Sequence, residues 1–188
     1  MKLYYTIISA FSRKCRILAR ELNISQDVQE IVTTMRSIDS IIMGVNPTGK
    51  VPALITKNQQ LLTESYAICN YFEKITNIHT NSIDNKENWT INGYETVACQ
   101  ILESIVYRSI EKKNKPKEFI HKPSSDYEIF KVNRALDFLE KRASEFNSYT
   151  NRVQITICLA FNNMYKNFPE EDWKKNRPLL NELVENFM

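Results

Sequence analysis

The sequence contains few of the residues that mark flexible, disulfide-rich or metal-binding proteins. Three glycines and six prolines in 188 residues argue against a loop-rich or disordered chain. The four cysteines are widely spaced without a CxxC pair, and only two histidines are present, so we expect neither disulfides nor a metal site. Cys15 and Cys69 fall in apolar helical patterns and are interpreted as small buried hydrophobes.

Long apolar runs and a strong charge bias are also missing. No run approaches the about 18 apolar residues of a membrane-spanning helix, and the N-terminus lacks the features of a signal peptide. We therefore expect a cytoplasmic protein that does not bind membranes. Residues 1–78 carry nine Lys/Arg against six Asp/Glu, which accounts for the whole net charge of +3. This excess is too small and too scattered to indicate nucleic acid, but its sign suits a small anion.

The first 78 residues alternate between strand-like and helical patterns. β-branched and aromatic runs predict strands, and apolar residues at helical spacing predict helices. Patterning alone indicates an α/β or α+β domain. The predicted order βαβαββα consists of strand 2–8, helix 13–22, strand 28–32, a short helical or irregular segment 37–43, strands 51–55 and 61–62, and helix 66–75.

The second half is predicted to be helical. Residues 76–88 are polar and rich in Asn, which indicates a linker between a domain at 1–78 and one at 88–188. The basic, proline-containing segment 108–125 is expected to end the first helix. Ile129, Phe130, Leu136 and Leu139 are the predicted core face of the second helix. The predicted helices begin near Ile91 and then cover 126–146, 151–168 and 170–187, the last interrupted near Pro178.

The segment NPTGKVPALITKNQQLLTES, residues 46–65, predicts a loop, two short strands and a helix start. Pro52 interrupts the first strand, is a candidate for a cis bond, and leaves the Val51 backbone free to pair with another molecule. At Glu64 and Ser65, helix N–H groups favour a carboxylate, and the Glu64 side chain can bind an ammonium group. A ligand with an amine and a carboxylate on one carbon satisfies both.

The order NPTGKVPAL, a hairpin and LTES-x-AI-x-x-YFE resembles the glutathione-binding segment of cytosolic glutathione S-transferases. The resemblance implies a thioredoxin-like N-terminal domain followed by an all-helical domain, with glutathione as co-substrate and no metal. It implies that Pro52 is cis and that the Val51 backbone pairs with the cysteinyl part of glutathione. It further implies that Glu64 and Ser65 hold the γ-glutamyl amine and carboxylate, and that Lys50 lies near the glycyl carboxylate.

The segment SAFSRK, which begins at Ser9, resembles the Ser-Pro-Phe element of serine-type bacterial and plant members. The resemblance implies that the Ser9 hydroxyl activates the thiol of glutathione, although Ala10 replaces the proline. The alternative for Ser9 is a simple helix N-cap. Ser12 is a second candidate, and its alternative is a solvent-facing helical residue. Tyr4 and Tyr5 are interpreted as strand packing.

These observations favour a serine-type glutathione S-transferase that acts on a hydrophobic electrophile or a peroxide. Phe11 and Tyr107 are candidate contacts for that second substrate. The resemblance also implies a homodimer, and a capping box in altered form at Asn151 and Gln154. Two alternatives stay open. One is a non-catalytic interaction protein similar to stringent starvation protein A, which contacts RNA polymerase. The other is a glutathione-binding protein with negligible turnover.

Overall fold

The chain divides into two structural units, Met1–Thr80 and Asn81–Met188. Their coordinates come from a computed structural model that describes residues 1–80, 82–83, 86–87, 89–146 and 150–187. No helix within these ranges is long and apolar enough to cross a lipid bilayer.

A four-stranded mixed sheet forms the centre of the first unit. Its elements are β1 (Lys2–Tyr5), α1 (Ala10–Glu21), β2 (Gln29–Val32), β3 (Ala53–Ile55), β4 (Leu61–Thr63) and α2 (Ser65–Thr76). The strand order is β2-β1-β3-β4, with β1 and β2 parallel and β3 antiparallel to both neighbours. Leu3, Leu18, Leu54 and Phe72 are fully buried. This arrangement confirms the thioredoxin-like domain that the resemblance implies.

The first unit departs from the predicted elements in two places. β1 ends at Tyr5, so Ile7 and Ile8 lie outside the strand and are 69% and 73% exposed. The segment 37–43, predicted to be a short helix or irregular, contains only part of a 3-10 turn, Ile41–Gly44, which the Ser40 hydroxyl caps by accepting from the Ile42 N–H.

The second unit is helical after a small hairpin. That hairpin consists of β5 (Ser82–Ile83) and β6 (Lys86–Glu87) and lies inside the segment 76–88 that the sequence indicates as a linker. The helices are α3 (Trp89–Asn114), α4 (Lys122–Glu140), α5 (Arg152–Asn167) and α6 (Pro178–Phe187). α5 packs against α3 and α6, and every residue from 152 to 161 is buried.

The segment 108–125 does contain the end of α3, but not at Arg108, because that residue has partners inside the unit. α3 continues through it to Asn114. The Arg108 guanidinium forms a two-point contact with the Glu171 carboxylate and lies 4.1 Å from the centre of the Phe168 ring. A cation that is paired in this way need not face solvent. The charge of Arg108 was therefore not a sign that the helix ends there.

Two predictions for the last three helices are corrected. Phe130 is 55% exposed, so the core face of α4 is formed instead by Val132, Leu136 and Leu139. Pro178 begins α6 rather than interrupting it. The Glu140 carboxylate accepts from the N–H groups of the second and third residues of α6 at 3.0 and 2.9 Å. Proline at the first helical position lacks an N–H that would need a partner.

A buried ion pair joins α3 and α5. Arg152 Nη2 lies 3.0 Å from Glu95 Oε2 and donates to Asn92 Oδ1 at 3.1 Å, and neither charged side chain is more than 2% exposed. Both charges have lost their water, so each depends on the other for stabilisation.

The cap of α5 only partly matches the expected capping box. Asn151 Oδ1 accepts from the Gln154 N–H at 3.0 Å, as expected. The Gln154 side chain instead donates to the Phe146 carbonyl at 3.0 Å, and Asn151 Nδ2 donates to the same oxygen at 2.7 Å. The two amides therefore fix the chain before α5 as well as its first turn.

We expect Asn151→Ala to lower the free energy of unfolding by about 1–2 kcal/mol, because it removes the cap of a buried helix. Urea denaturation measures the change. Asn151→Asp is the comparison variant, because it keeps the acceptor for the Gln154 N–H while it loses the donor to Phe146 and adds a carboxylate at a buried position. Equal stability of Asn151→Ala and the unmodified protein would contradict the capping role.

Candidate functional site

One row of the sheet brings together segments that are far apart in the sequence. Tyr4 of β1 lies opposite Ala53 of β3, and Ala53 lies opposite Thr63 of β4. Val51 and Pro52 come directly before this row, Glu64 and Ser65 directly after it, and the loop after β1 leads to Ser9. Because β3 is antiparallel to both neighbours, these chain ends lie at the same edge of the sheet.

The Val51–Pro52 peptide bond is cis, as the resemblance implies. Pro52 is buried and Val51 is half-buried. The strand register starts at Ala53, so the Val51 backbone pairs with no strand in the described residues. Its N–H and carbonyl are therefore available for an extended ligand to pair with.

Asn46 organises the loop that leads to Pro52. This residue is 1% exposed, and its Nδ2 donates to the Lys50 carbonyl at 2.8 Å. Its Oδ1 accepts from the Thr48 N–H and hydroxyl at 3.1 and 3.0 Å. Gly49 has a φ of 64°, and a Cβ there would come within 2.7 Å of the Met43 sulfur. The loop is thus held from inside, while the Lys50 side chain is exposed.

The first turn of α2 has backbone N–H groups that the Glu64 side chain does not cap. Glu64 has a φ of 68° and a ψ of 131°, and its side chain makes no capping bond to the helix. The Ser65 and Ala67 N–H groups have no hydrogen-bond partner among the described residues. A positive φ in a glutamate is rare and costs about 1–3 kcal/mol, which is typical of functional sites.

Ser9 does cap α1, which is the structural alternative that the sequence left open. Its Oγ accepts from the Ser12 N–H at 3.1 Å. This bond uses an acceptor lone pair of the hydroxyl, and the hydroxyl proton can still be donated to another group. Capping and thiol activation are therefore compatible in one residue.

Other predicted residues near α1 have mixed outcomes. Ser12 is fully buried, so the interpretation as a solvent-facing residue is wrong. Tyr5 is 9% exposed and stacks against the Arg16 guanidinium, whose carbon lies 4.3 Å from the ring centre. Phe11 is half-buried. The exposed side chains of Ile7 and Ile8 were missed, because their β-branched character predicted a longer strand.

A groove of about 650 Å³ lies between α3 and α4 within the second unit. Tyr107, which is 49% exposed, lines it together with Ile101 and Phe138. Glu128 also lines this groove. Burial disfavours the charged form of that residue, but hydrogen bonds from Lys131 and Ser104 outweigh burial and lower the pKa of its carboxyl. The sequence indicated Tyr107 but gave no signal for the groove.

Cysteine and metal chemistry receive no support from the described residues. Cys15 and Cys69 are fully buried, as expected. Burial raises the pKa of the Cys158 thiol to about 12, so that group is not a nucleophile near neutral pH. Within the described part of the chain, no group of three or more His, Cys, Asp or Glu side chains is placed to hold a metal ion.

Comparison with known proteins finds similarity to glutathione S-transferases in part of the sequence and in the fold. Residues 8–75 match the glutathione S-transferase N-terminal domain. The chain is 29% identical over 191 residues to the uncharacterized GST-like protein YibF of Escherichia coli K12, covering 99% of this chain and 93% of that protein.

Solved structures show the same fold across the chain. A glutathione transferase family member from Pseudomonas fluorescens Pf-5, with bound glutathione, has a TM-score of 0.88 at 22% identity. The match covers 99% of this chain and 93% of that protein's chain. A glutathione S-transferase from Methylobacillus flagellatus KT, also with glutathione bound, has a TM-score of 0.87 at 21% identity, with coverages of 100% and 94%. The chain is therefore similar to glutathione S-transferases in the sequence of residues 8–75 and in its fold.

Proposed function

We propose that this chain binds reduced glutathione at the sheet edge formed by Val51, Pro52, Glu64 and Ser65, and acts as a glutathione transferase. The observation that carries the proposal is the left-handed Glu64 beside unpartnered helix N–H groups, next to the cis Val51–Pro52 bond. Glutathione bound in the related structures supports the choice of ligand.

The γ-glutamyl end of glutathione matches the start of α2. Its carboxylate would accept from the Ser65 N–H, where the helix dipole favours negative charge. Its ammonium group would pair with the exposed Glu64 carboxylate. The cysteinyl backbone would then pair with Val51, and the exposed Lys50 side chain would lie near the glycyl carboxylate. Four contacts of different chemistry define the orientation of the peptide.

Ser9 is the proposed thiol-activating residue. A cysteine-like thiol has an ordinary pKa of about 8.5. Donation from the Ser9 hydroxyl, together with the positive end of α1, would lower the pKa of the bound thiol by about one to two units. The proton leaves to solvent, and the thiolate then attacks the electrophile. The protein orients and ionises glutathione without forming a covalent intermediate.

The second substrate is proposed to be a hydrophobic electrophile or a peroxide. Exposed Ile7 and Ile8 precede Ser9 and supply apolar surface in the first unit, where Phe11 also lies. Tyr107 is the candidate contact from the second unit. We further propose a homodimer, on the strength of the family resemblance, and action in the cytosol, where glutathione is kept reduced.

Glu64→Ala is expected to weaken glutathione binding by about tenfold to hundredfold, because a charge-assisted hydrogen bond is lost. Isothermal titration calorimetry measures the dissociation constant. Glu64→Gln is the matched control, because it keeps the side-chain length and removes only the charge. Absence of binding by the unmodified protein would refute the transferase proposal and favour the interaction protein without catalysis.

Glu64→Gly is expected to weaken glutathione binding as much as Glu64→Ala does, yet to be more stable than that variant. Glycine adopts a φ of 68° without steric cost, so strain of about 1–3 kcal/mol is relieved, against an entropy cost of about 0.5–1 kcal/mol. Urea denaturation of the two variants gives the comparison. A less stable Glu64→Gly would show that residue 64 is not strained.

Ser9→Ala is expected to raise the pKa of the bound thiol by about one unit, since a hydrogen bond to the thiolate is removed. The pH dependence of thiolate ultraviolet absorbance in the complex measures it. Ser9→Thr is the matched control, because threonine keeps both the hydroxyl and the cap. An unchanged thiol pKa in Ser9→Ala, with glutathione still bound, would favour a binding protein in which Ser9 is only a cap.

A further inference from the structure

The first turn of α1 contains donors that the described residues leave unused. The Ser9 N–H donates to the Thr6 carbonyl at 3.2 Å, and the Ser12 N–H donates to Ser9 Oγ. The Ala10 and Phe11 N–H groups have no hydrogen-bond partner in the described part of the chain. Ala10 is only 3% exposed. A buried N–H without a partner is unfavourable unless a water or ligand atom occupies it.

Two buried hydroxyls beside the same turn are also unpartnered. Neither Ser12 Oγ nor Thr6 Oγ1 has a hydrogen-bond partner among the described residues, and both residues are at least nine-tenths buried. In a helix the Cα–Cβ bond tilts towards the N-terminus, so the Ser12 side chain is directed back to this turn. Thr6 is adjacent, because its carbonyl holds the Ser9 N–H. This concentration of donors indicates a place for an anionic atom.

We propose that the Ala10 N–H donates a hydrogen bond to the sulfur of bound glutathione thiolate, beside the Ser9 hydroxyl. The inference rests on the proposed function. The serine-type members that the segment resembles have proline at this place, and proline has no N–H. Alanine therefore supplies a donor that proline cannot. The N–H groups at a helix start carry partial positive charge, which favours an anionic sulfur over a neutral thiol.

Two donors on one sulfur act in parallel. Loss of the Ser9 hydroxyl removes one of them and leaves the backbone donor in place. The thiol of the Ser9→Ala complex should therefore remain more acidic than that of free glutathione. At this position the chain therefore loses the rigidity that proline provides and gains a second hydrogen-bond donor for the thiolate.

Ala10→Pro tests the proposal, because it deletes the N–H at a position that accepts proline. Ser9 has a φ of −74° and a ψ of 113°, an extended conformation that suits a residue before proline. Proline is also favoured at the first helical position. We expect the pKa of the bound thiol to rise by about one unit in Ala10→Pro. Ala10→Gly, which keeps the N–H, should leave it unchanged.

The double variant Ser9→Ala/Ala10→Pro should bring the bound thiol close to its ordinary pKa of about 8.5. A nuclear magnetic resonance titration provides a measurement without any substitution. Reduced glutathione should shift the Ala10 amide proton downfield, and the shift should follow the ionisation of the thiol. S-methylglutathione, which has no ionisable thiol, is the matched control ligand and should not produce a pH-dependent shift.

Each result separates this inference from the proposed function. An unchanged thiol pKa in Ala10→Pro, with glutathione still bound, overturns the role of the Ala10 N–H and leaves the transferase proposal standing. An Ala10 amide shift that is the same with S-methylglutathione overturns it as well. Absence of glutathione binding to the unmodified protein in calorimetry overturns both proposals.

Discussion

The candidate site depends on the antiparallel pairing of β3 with both β1 and β4. Each of these strands has only three or four residues, so the register of a single row, Tyr4–Ala53–Thr63, determines what lies at the sheet edge. A slip of one residue would turn the side chains of β3 to the opposite face and move Pro52 relative to Glu64. Fully buried Leu3 and Leu54 oppose such a slip, because they would lose their core contacts. Core packing therefore also sets the spacing of the groups proposed to bind a ligand.

The helix starts of the two units differ in how their first backbone N–H groups find hydrogen-bond partners. α5, in the second unit, has a buried amide that caps its N-terminus and ties it to the preceding chain. α1 uses the Ser9 hydroxyl for one N–H and leaves two without partners among the described residues, where α2 also has no side-chain cap. A helix that serves only packing gains from full capping, whereas one that receives an anion must keep donors open.

The sequence predicted the features that local chemistry determines. Pro52 and the Glu64–Ser65 pair were located from turn residues and a helix-start signal, and the cis bond followed from the resemblance. Prediction from the sequence failed where contacts with distant residues determine the end of a helix or the face that is buried. Arg108 stays inside α3 because Glu171 and Phe168, about sixty residues later, receive it. Phe130 fits the helical period but is exposed, since period alone does not say which of two adjacent faces meets the core. The positive φ of Glu64 could not be predicted from the sequence, because glutamate normally avoids that conformation.

The loop before the cis bond has a chemical consequence for the lifetime of the folded protein. Asn46 holds this loop through a single side-chain amide. Asparagine ages by attack of the next residue's backbone nitrogen on that amide, a reaction that requires a nitrogen bearing a proton. The next residue here is Pro47, whose nitrogen bears none. The amide that shapes the approach to Pro52 is therefore protected from spontaneous conversion to aspartate by its own neighbour in the chain.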